Sequence, residues 1–441
     1  MPKSSPRTKA AVKLPPALAA IADSVIETKL PNGLRIRLLP NDAVPTCSFY
    51  TFFKVGARNE RPGITGISHL FEHMMFNGAK KYGPGMFDKV LESNGGSSNA
   101  YTSNDLTVYY EDFMAEALEK VIDLESDRMR SLAVTPKMLA SERQVVIEER
   151  RLRVDNEIAG MMDEELGALV YKAHPYRWPV IGWMRDIENI TRDDCLDYFR
   201  TFYAPNNATI YVSGDFDPKQ ALALIKKYYG AIKAGPPVPP VLDAEPEQKG
   251  ERRAQVHHPA QAPSLMIAWR GPKGDHPDTL ALDVVQYALS VGQSSRFHKR
   301  LVHELEVAVG VSVDWTWRFD PGSFTIGLEL KPGGDPLKAE AALAEELEKV
   351  AEDGLSAREL EKAKNNLAAT LTRELATNSG RAHALGTYEM MLGDWRKGLA
   401  LPSAYESITS VQVKEAVRKY LSPSKKNVVT LVPETGLEAA A

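Results

Sequence analysis

Alternating apolar and polar positions begin two stretches of the chain, one near its start and one past its middle. Segment 28–39 contains a Pro-Asn-Gly turn and then alternates with a period of two, and 48–53 follows as a second strand. Segment 264–269 has the same character. Each of these openings leads through a loop to a helix, predicted over 67–76 in the first half and 279–291 in the second.

Further helices and strands are predicted later in each half. Between the halves lies a segment rich in proline and charge, which is typical of an extended linker. We therefore divide the chain into a domain over 24–233, a linker over 234–253 and a domain over 254–434, and we predict a duplicated α/β unit. The further predicted helices are 111–130, 136–153, 338–352 and 356–375, and the further predicted strands are 208–213 and 427–432.

Length and composition support two domains and exclude several classes of protein. A chain of 441 residues is too long for one ordinary core, and 43% hydrophobic with 25% charged residues is typical of soluble globular proteins. A net charge of −4 gives no general attraction to nucleic acid or anionic lipid, and no apolar run is long enough to span a membrane. Cys47 and Cys195 are expected to be buried thiols. We predict a cytoplasmic protein, or a periplasmic one if a signal peptide has been removed.

The strongest chemical signal is the segment from His69 to His73 in the first predicted helix. The two histidines are four residues apart, so both imidazoles project from one face and can bind one metal ion. Glu72 lies at the edge of that face, within reach of a water molecule beside the metal. Two histidines with an adjacent base form the core of a zinc hydrolase, and the order His-x-x-Glu-His is the inverzincin signature.

A third ligand is available on the helix predicted over 136–153. Catalytic zinc usually has three protein ligands. This helix begins with Pro136 and has no internal glycine. Glu142 and Glu149 are two turns apart and share a face, whereas Glu148 points about a quarter-turn away and is expected to face solvent.

The motif and the glutamate pair together resemble the pitrilysin family of metallopeptidases, in particular its short-chain, processing-peptidase-like branch. Segments 63–68, 99–102 and 107–110 also match, and the resemblance covers nearly the whole chain. It implies two α/β-roll domains with mixed sheets, related by duplication. It also implies an endopeptidase that hydrolyses extended peptides in a closed chamber.

Carried over residue by residue, the resemblance implies one zinc ion in the first half. His69, His73 and Glu149 become its ligands, Glu72 becomes the catalytic base, and Glu142 becomes the carboxylate that supports the ligands. Mn²⁺ or Co²⁺ could occupy the same ligands in vitro.

The resemblance also identifies a strand for the substrate. Asn99, Ala100 and Tyr101 fall on the strand that pairs with the peptide backbone in the family. Unfolded or short peptides are therefore the expected substrates.

The second half provides an internal control for the metal site. Setting Phe53 against Trp269 aligns the two halves and places residues 285–289 opposite the motif. None of the histidines or the glutamate of the motif has an equivalent there, so we expect a single metal site.

The second half departs from the family at two positions. Single-subunit members carry an Arg and a Tyr there, within a stretch resembling Ser-Arg-Leu-x-x-x-Leu-Arg-Glu-x-x-Gly-Leu-Ala-Tyr-Ser-Val, and both donate hydrogen bonds near the scissile carbonyl. Anchored on Arg296, Leu301 and Ala308, the corresponding residues here are Val302 and Val309. Valine cannot donate, and the loss of one such donor costs on the order of 10²–10³ in rate. We therefore predict a heterodimer with a paralogous, metal-free subunit that supplies the Arg and Tyr.

Simpler interpretations of these residues remain open. The two histidines could belong to a core, the glutamates could form a solvated face, and Asn99 could be a turn residue. Arg296, Arg300 or His303 could replace the missing donors from nearby positions.

The function also has alternatives. The chain could be a non-catalytic assembly or peptide-binding subunit that retains zinc, although such a site has no need of the base Glu72. A purely structural zinc site is disfavoured, because such sites are usually closed by four ligands.

Overall fold

Two mixed β-sheets, one from each half of the chain, form the framework of the protein. The computed structural model describes residues 14–242 and 244–434. Six strands belong to the first half and five to the second. They are β1 (Ile26–Lys29), β2 (Arg35–Pro40), β3 (Thr46–Phe53), β4 (Ser97–Thr102), β5 (Thr107–Met114), β6 (Ala208–Gly214), β7 (Arg252–His258), β8 (Ser264–Arg270), β9 (Ala308–Trp315), β10 (Ser323–Leu330) and β11 (Asn427–Pro433).

The two sheets share one topology. The first has the order β1-β2-β6-β3-β5-β4 and the second the order β7-β11-β8-β10-β9. The pairs β2–β6 and β7–β11 are parallel, and the other pairs are antiparallel. Apart from β1, each strand of the first sheet therefore has a counterpart in the second. The prediction of two similar α/β domains with mixed sheets, as duplication produces, is confirmed.

Helices cover both sheets, and several begin at a side-chain cap. Thr135 and Ser356 accept backbone N–H groups at the starts of two long helices. No helix in the described part of the chain has the length and apolar character needed to cross a bilayer. The helices are α1 (Pro16–Ser24), α2 (Ile67–Met74), α3 (Met86–Glu92), α4 (Leu118–Ser131), α5 (Pro136–Arg150), α6 (Ile158–Val170), α7 (Met184–Asn189), α8 (Arg192–Phe202), α9 (Pro218–Tyr229), α10 (Thr279–Ser290), α11 (Pro336–Asp353), α12 (Ala357–Glu374), α13 (Asn378–Leu392), α14 (Arg396–Leu399), α15 (Leu401–Glu406) and α16 (Ser410–Tyr420).

Two predicted helix boundaries were wrong. The helix predicted over 111–130 begins only at Leu118, because β5 continues to Met114. One face of this strand is buried and the other becomes exposed towards Met114, but the buried face carries Glu111, which interrupts the alternation of apolar and polar residues that identifies a strand from sequence. The helix predicted over 136–153 ends at Arg150 and continues as a π-helical turn. Cys47 and Cys195 are free and buried, as predicted.

Each half contributes a helix to the sheet of the other half. α6 from the first half packs on β7, β8 and β11 through Met162 and Leu166. α13 from the second half packs on β3 and β6, where Leu385 shares a buried cluster with Phe52 and Tyr211. The two halves are therefore interlocked.

The domain boundaries remain a prediction, and β7 begins at Arg252, inside the predicted linker over 234–253.

The contact between α13 and β3 leaves no space for a side chain at Gly386. A Cβ there would lie 2.1 Å from the ring of Phe52. Alanine favours a helix over glycine by about 1 kcal/mol, but we expect overpacking to outweigh this, so that Gly386→Ala lowers the free energy of unfolding by about 1–3 kcal/mol. Urea denaturation measures the change. The control is Gly250→Ala, where a Cβ meets no atom within 4 Å. A Gly386→Ala protein as stable as the wild type would contradict this tight packing.

Candidate metal centre

The helix that carries the two histidines is fixed by its first turn. Gly66 precedes α2 with a φ of 87°, and a Cβ there would lie 2.3 Å from the carbonyl oxygen of Ile181, so only glycine fits. The carboxylate of Glu60 accepts hydrogen bonds from the backbone N–H groups of Gly66 and Ser68, at 2.8 and 2.9 Å. These contacts satisfy donors that the start of a helix leaves unpaired. Burial raises the pKa of Glu60 to about 8.

One side of α2 packs into the core and another carries the predicted metal residues. Leu70 and Phe71 are completely buried, and Phe71 stacks on Tyr203. The side chains of His69 and His73 retain 12% and 23% exposure. The core contacts therefore fix the rotation of the helix, and both imidazoles remain partly accessible.

The glutamates of α5 reach these imidazoles from the neighbouring helix. Glu149 Oε2 lies 3.6 Å from Nε2 of His69 and 3.2 Å from Nε2 of His73. Glu142 Oε2 lies 3.7 Å from Nδ1, the other ring nitrogen of His73. Ligand atoms of His69, His73 and Glu149 all lie within 4.8 Å of one another, and the described residues contain no other such group.

The electrostatics of this cluster suit a cation. Burial, followed by the neighbouring His73, lowers the pKa of His69 and keeps its imidazole neutral. The hydrogen bond with His73 lowers the pKa of Glu149 and keeps its carboxylate ionised. Burial alone would lower the pKa of His73, but contact with Glu149 outweighs it and raises that pKa. Two imidazoles and one carboxylate form a known catalytic zinc ligand set, so these donors fit a zinc ion.

Glu72 lies between this cluster and the edge of the first sheet. α2 and β4 are neighbours, and the Glu72 carboxyl lies near Thr102 of β4. Burial raises the pKa of Glu72, while Thr102 and His73 oppose that rise. A carboxylate with a raised pKa accepts a proton more readily than an exposed glutamate does.

The strand predicted to hold a substrate is the edge strand β4, which has a strand partner on one side only. The N–H of Ala100 donates to the side-chain oxygen of Asn99 at 2.8 Å. The hydroxyl of Tyr101 lies 2.9 Å from Nε2 of His383 on α13, in hydrogen-bond contact. The Tyr101 side chain therefore makes a contact with the second half.

Similarity to known proteins extends over most of the chain. Residues 37–182 match the model described as Insulinase (Peptidase family M16), and residues 189–367 match the one described as Peptidase M16 inactive domain. The zinc protease PqqE of Helicobacter pylori is 33% identical over 366 residues, which cover 81% of this chain and 82% of that protein. This chain belongs to peptidase family M16.

Other M16 proteins resemble the chain over a similar length. The probable mitochondrial-processing peptidase subunit beta of Arabidopsis thaliana is 24% identical over 409 residues, covering 89% of this chain and 76% of that protein. The crystal structure of a protease from Helicobacter pylori has a TM-score of 0.89 and 29% identity, and the match covers 93% of this chain and 99% of that one. The predicted resemblance to the pitrilysin-type, processing-peptidase-like branch is confirmed.

The second half of this M16 chain has apolar residues where the first has histidines. α10 follows β8 as α2 follows β3. Val285 and Leu289, which align with the histidines, are completely buried in the second core.

The backbone supports the alignment that places valines at the Arg and Tyr positions of the M16 motif. Glu306, aligned with the glycine of that motif, has a φ of 52°, the only positive φ of a non-glycine residue in the described ranges. Val302 and Val309 then occupy the two donor positions. Val309 is 54% exposed on the edge strand β9.

The residues considered as replacement donors already have partners. Arg296 donates to both carboxylate oxygens of Glu359, at 3.0 and 2.9 Å. Arg300 forms an ion pair with Glu304 at 3.1 Å. His303 contacts the side chain of a neighbouring glutamine at 3.2 Å.

The sequence did not identify two arginines, Arg150 and Arg153, that hold the end of the helix carrying Glu149. Arg153 Nε lies 3.0 Å from Glu149 Oε1. Arg150 is buried and donates to the carbonyl of Gly182 at 2.6 Å. A Cβ at Gly182 would lie only 2.4 Å from the carbonyl of Thr65, so this loop packs tightly against the start of α2. Arg150 therefore ties the end of α5 to the beginning of the histidine helix. An arginine among the many charged residues of this helix is expected to face solvent, so nothing in the sequence indicated that Arg150 is buried.

We expect Arg150→Met to weaken Zn²⁺ binding by about 10–100-fold, because the end of α5, which carries Glu149, loses its hydrogen bond to the carbonyl of Gly182. Competition with a chromophoric chelator measures the affinity, and Arg150→Lys should restore part of it. The control is Arg151→Met, since Arg151 is 52% exposed and pairs with exposed Glu148. Wild-type affinity in a folded Arg150→Met protein would show that this contact does not position the ligand.

Proposed function

We propose that this chain is the metal-bearing subunit of a zinc-dependent endopeptidase. The observation that carries the proposal is the approach of Glu149 to both histidines, at 3.6 and 3.2 Å, with a partly buried carboxyl at Glu72 on the same helix as the histidines. The M16 relatives, which include proteins named as a zinc protease and a processing peptidase subunit, support the same chemistry. A site that only stabilised the fold would not need Glu72.

His69, His73 and Glu149 would hold one zinc ion, and Glu142 would orient His73. When bound, zinc supplies Lewis-acid polarisation of the scissile carbonyl. Glu72 accepts a proton from the attacking water as the water oxygen bonds to the carbonyl carbon. Glu72 then delivers that proton to the departing amine nitrogen as the C–N bond breaks. This leaves a carboxylic acid and an amine; the acid then gives its proton to the amine, so the products leave as a carboxylate and an ammonium group, and Glu72 returns to its starting state.

Replacing Glu72 by glutamine tests this role directly. Glutamine keeps the shape of the side chain and cannot accept the proton, so we expect Glu72→Gln to abolish cleavage while zinc content remains about one per chain. Metal analysis and hydrolysis of a quenched fluorescent peptide measure the two properties. Cleavage at the wild-type rate by Glu72→Gln would refute the assigned base. A wild-type protein that binds zinc yet cleaves nothing, even with a paralogue, would favour the non-catalytic alternative.

Substrates would bind as an added strand beside β4. The backbone of Asn99, Ala100 and Tyr101 lies at this edge, and the N–H of Ala100 donates to the side chain of Asn99. An extended peptide can replace that side-chain contact with a backbone hydrogen bond. Because such bonds do not depend on side chains, they favour unfolded or short peptides of varied sequence.

A paralogous, metal-free subunit would complete the site. Val302 and Val309 provide no hydrogen-bond donor, and the neighbouring Arg296 and Arg300 are engaged in ion pairs. A partner with an Arg and a Tyr would supply the missing donors across a closed chamber. We keep the cytoplasm as the expected compartment, with the periplasm as the alternative.

Activity of the separate and combined subunits tests this requirement. We expect the zinc-loaded chain alone to cleave peptides on the order of 10²–10³ more slowly than the chain mixed with its paralogue. The kcat of a fluorescent peptide, measured across a titration of the paralogue, gives the ratio. A paralogue whose Arg and Tyr are changed to Val is the matched control. Full activity of this chain alone would contradict the need for a partner.

A further inference from the structure

A cavity of about 580 Å³ lies between the two halves, next to the end of β4. Its wall on the first half includes Tyr101, Ser103 and Asn104, together with Leu106 and Val180. Its wall on the second half comes from α10, α12, α13, α15 and the loop that follows β9. Its volume is within the range of pockets that bind small molecules or large side chains.

The position of this cavity matches that of the metal centre in the duplicated fold. α2, α5 and the end of β4 surround the metal centre, and their counterparts in the second half are α10, α12 and the end of β9. These counterparts line the cavity through Tyr287, Thr370 and Thr316. The cleft has therefore been retained in the second half without the metal ligands.

The chemistry of the walls favours an apolar or aromatic group. Trp317, Tyr388 and Leu371 supply aromatic and aliphatic surface. The buried carboxylate of Asp283 is already satisfied, because Trp317 Nε1 and the Tyr405 hydroxyl donate to its two oxygens at 2.9 and 2.8 Å. Asp283 is therefore not available to bind a cationic ligand.

The cavity is continuous with the strand proposed to bind the substrate. β4 ends at Thr102, and Ser103 and Asn104 already belong to the wall. Since a strand rises by about 3.3 Å per residue, a peptide paired with β4 reaches the cavity within one or two residues beyond Thr102.

We propose that this cavity is a specificity subsite, which takes an apolar or aromatic side chain of the peptide paired with β4. The inference rests on the proposed function, because it requires a peptide along that edge. Such a subsite makes the second half a determinant of substrate choice, in addition to its packing on the first sheet.

Peptide binding to the zinc-loaded Glu72→Gln chain tests the proposal without cleavage. The probes are fluorescent peptides with the same central segment. Each has a short extension at its N-terminal or C-terminal end, and that extension contains either Phe or Ser. Fluorescence anisotropy gives their Kd. We expect Phe at one end to tighten binding roughly tenfold over Ser, as burial of an aromatic side chain implies.

Substitutions in the wall of the cavity test whether the advantage of Phe comes from this cavity. Thr370→Trp fills the cavity and should remove the advantage of Phe, and Thr316→Trp at the exposed mouth should do the same if Thr370→Trp unfolds the chain. The matched control is Thr372→Trp, on the exposed side of the same helix, which should keep the advantage. Equal Kd values for Phe and Ser peptides at both ends, with binding intact, would overturn the subsite alone. No binding of any peptide would overturn the strand pairing of the proposed function as well.

Discussion

The metal centre depends on two helices, distant in sequence, being held at one fixed separation. Glu149 contacts His73 across 76 residues of chain. Zinc–ligand bonds of about 2.0–2.2 Å tolerate little error in that separation. The separation is fixed by contacts that cannot adjust: the glycine-to-glycine approach of Gly66 and Gly182, and the Arg150 hydrogen bond to the same loop. The ligand geometry is therefore a property of loop packing as much as of the ligands.

The duplication relates the candidate metal centre of one half to the cavity of the other. Equivalent strands and helices surround both places. In the second half, Val285 and Leu289 fill the core where the histidines would project. The halves then became interdependent through α6 and α13, each of which covers the sheet of the other half. This exchange brings β4 against the second half through Tyr101 and His383. The strand proposed to bind the substrate is therefore also the strand that contacts the second half.

The sequence predicted the fold class and the candidate ligands because these follow from short-range patterns. Helical spacing placed His69 and His73 on one face of the first predicted helix. It placed Glu142 and Glu149 on one face of the helix predicted over 136–153. The supporting residues were not predicted, because their roles depend on tertiary contacts: Glu60 looks like an exposed loop acid, although it is buried and caps α2. The end of β5 was mistaken for helix for the same reason, since Glu111 on its buried face is paired with Arg128 by a tertiary contact and interrupts the apolar alternation.

Anomalous diffraction from crystals of the zinc-loaded chain, recorded on both sides of the zinc absorption edge, tests the central claim most directly. The account predicts one strong peak per chain, bonded to His69, His73 and Glu149 at about 2.0–2.2 Å, and no peak in the second half. A peak elsewhere, or none between α2 and α5 in crystals grown with zinc, would contradict it.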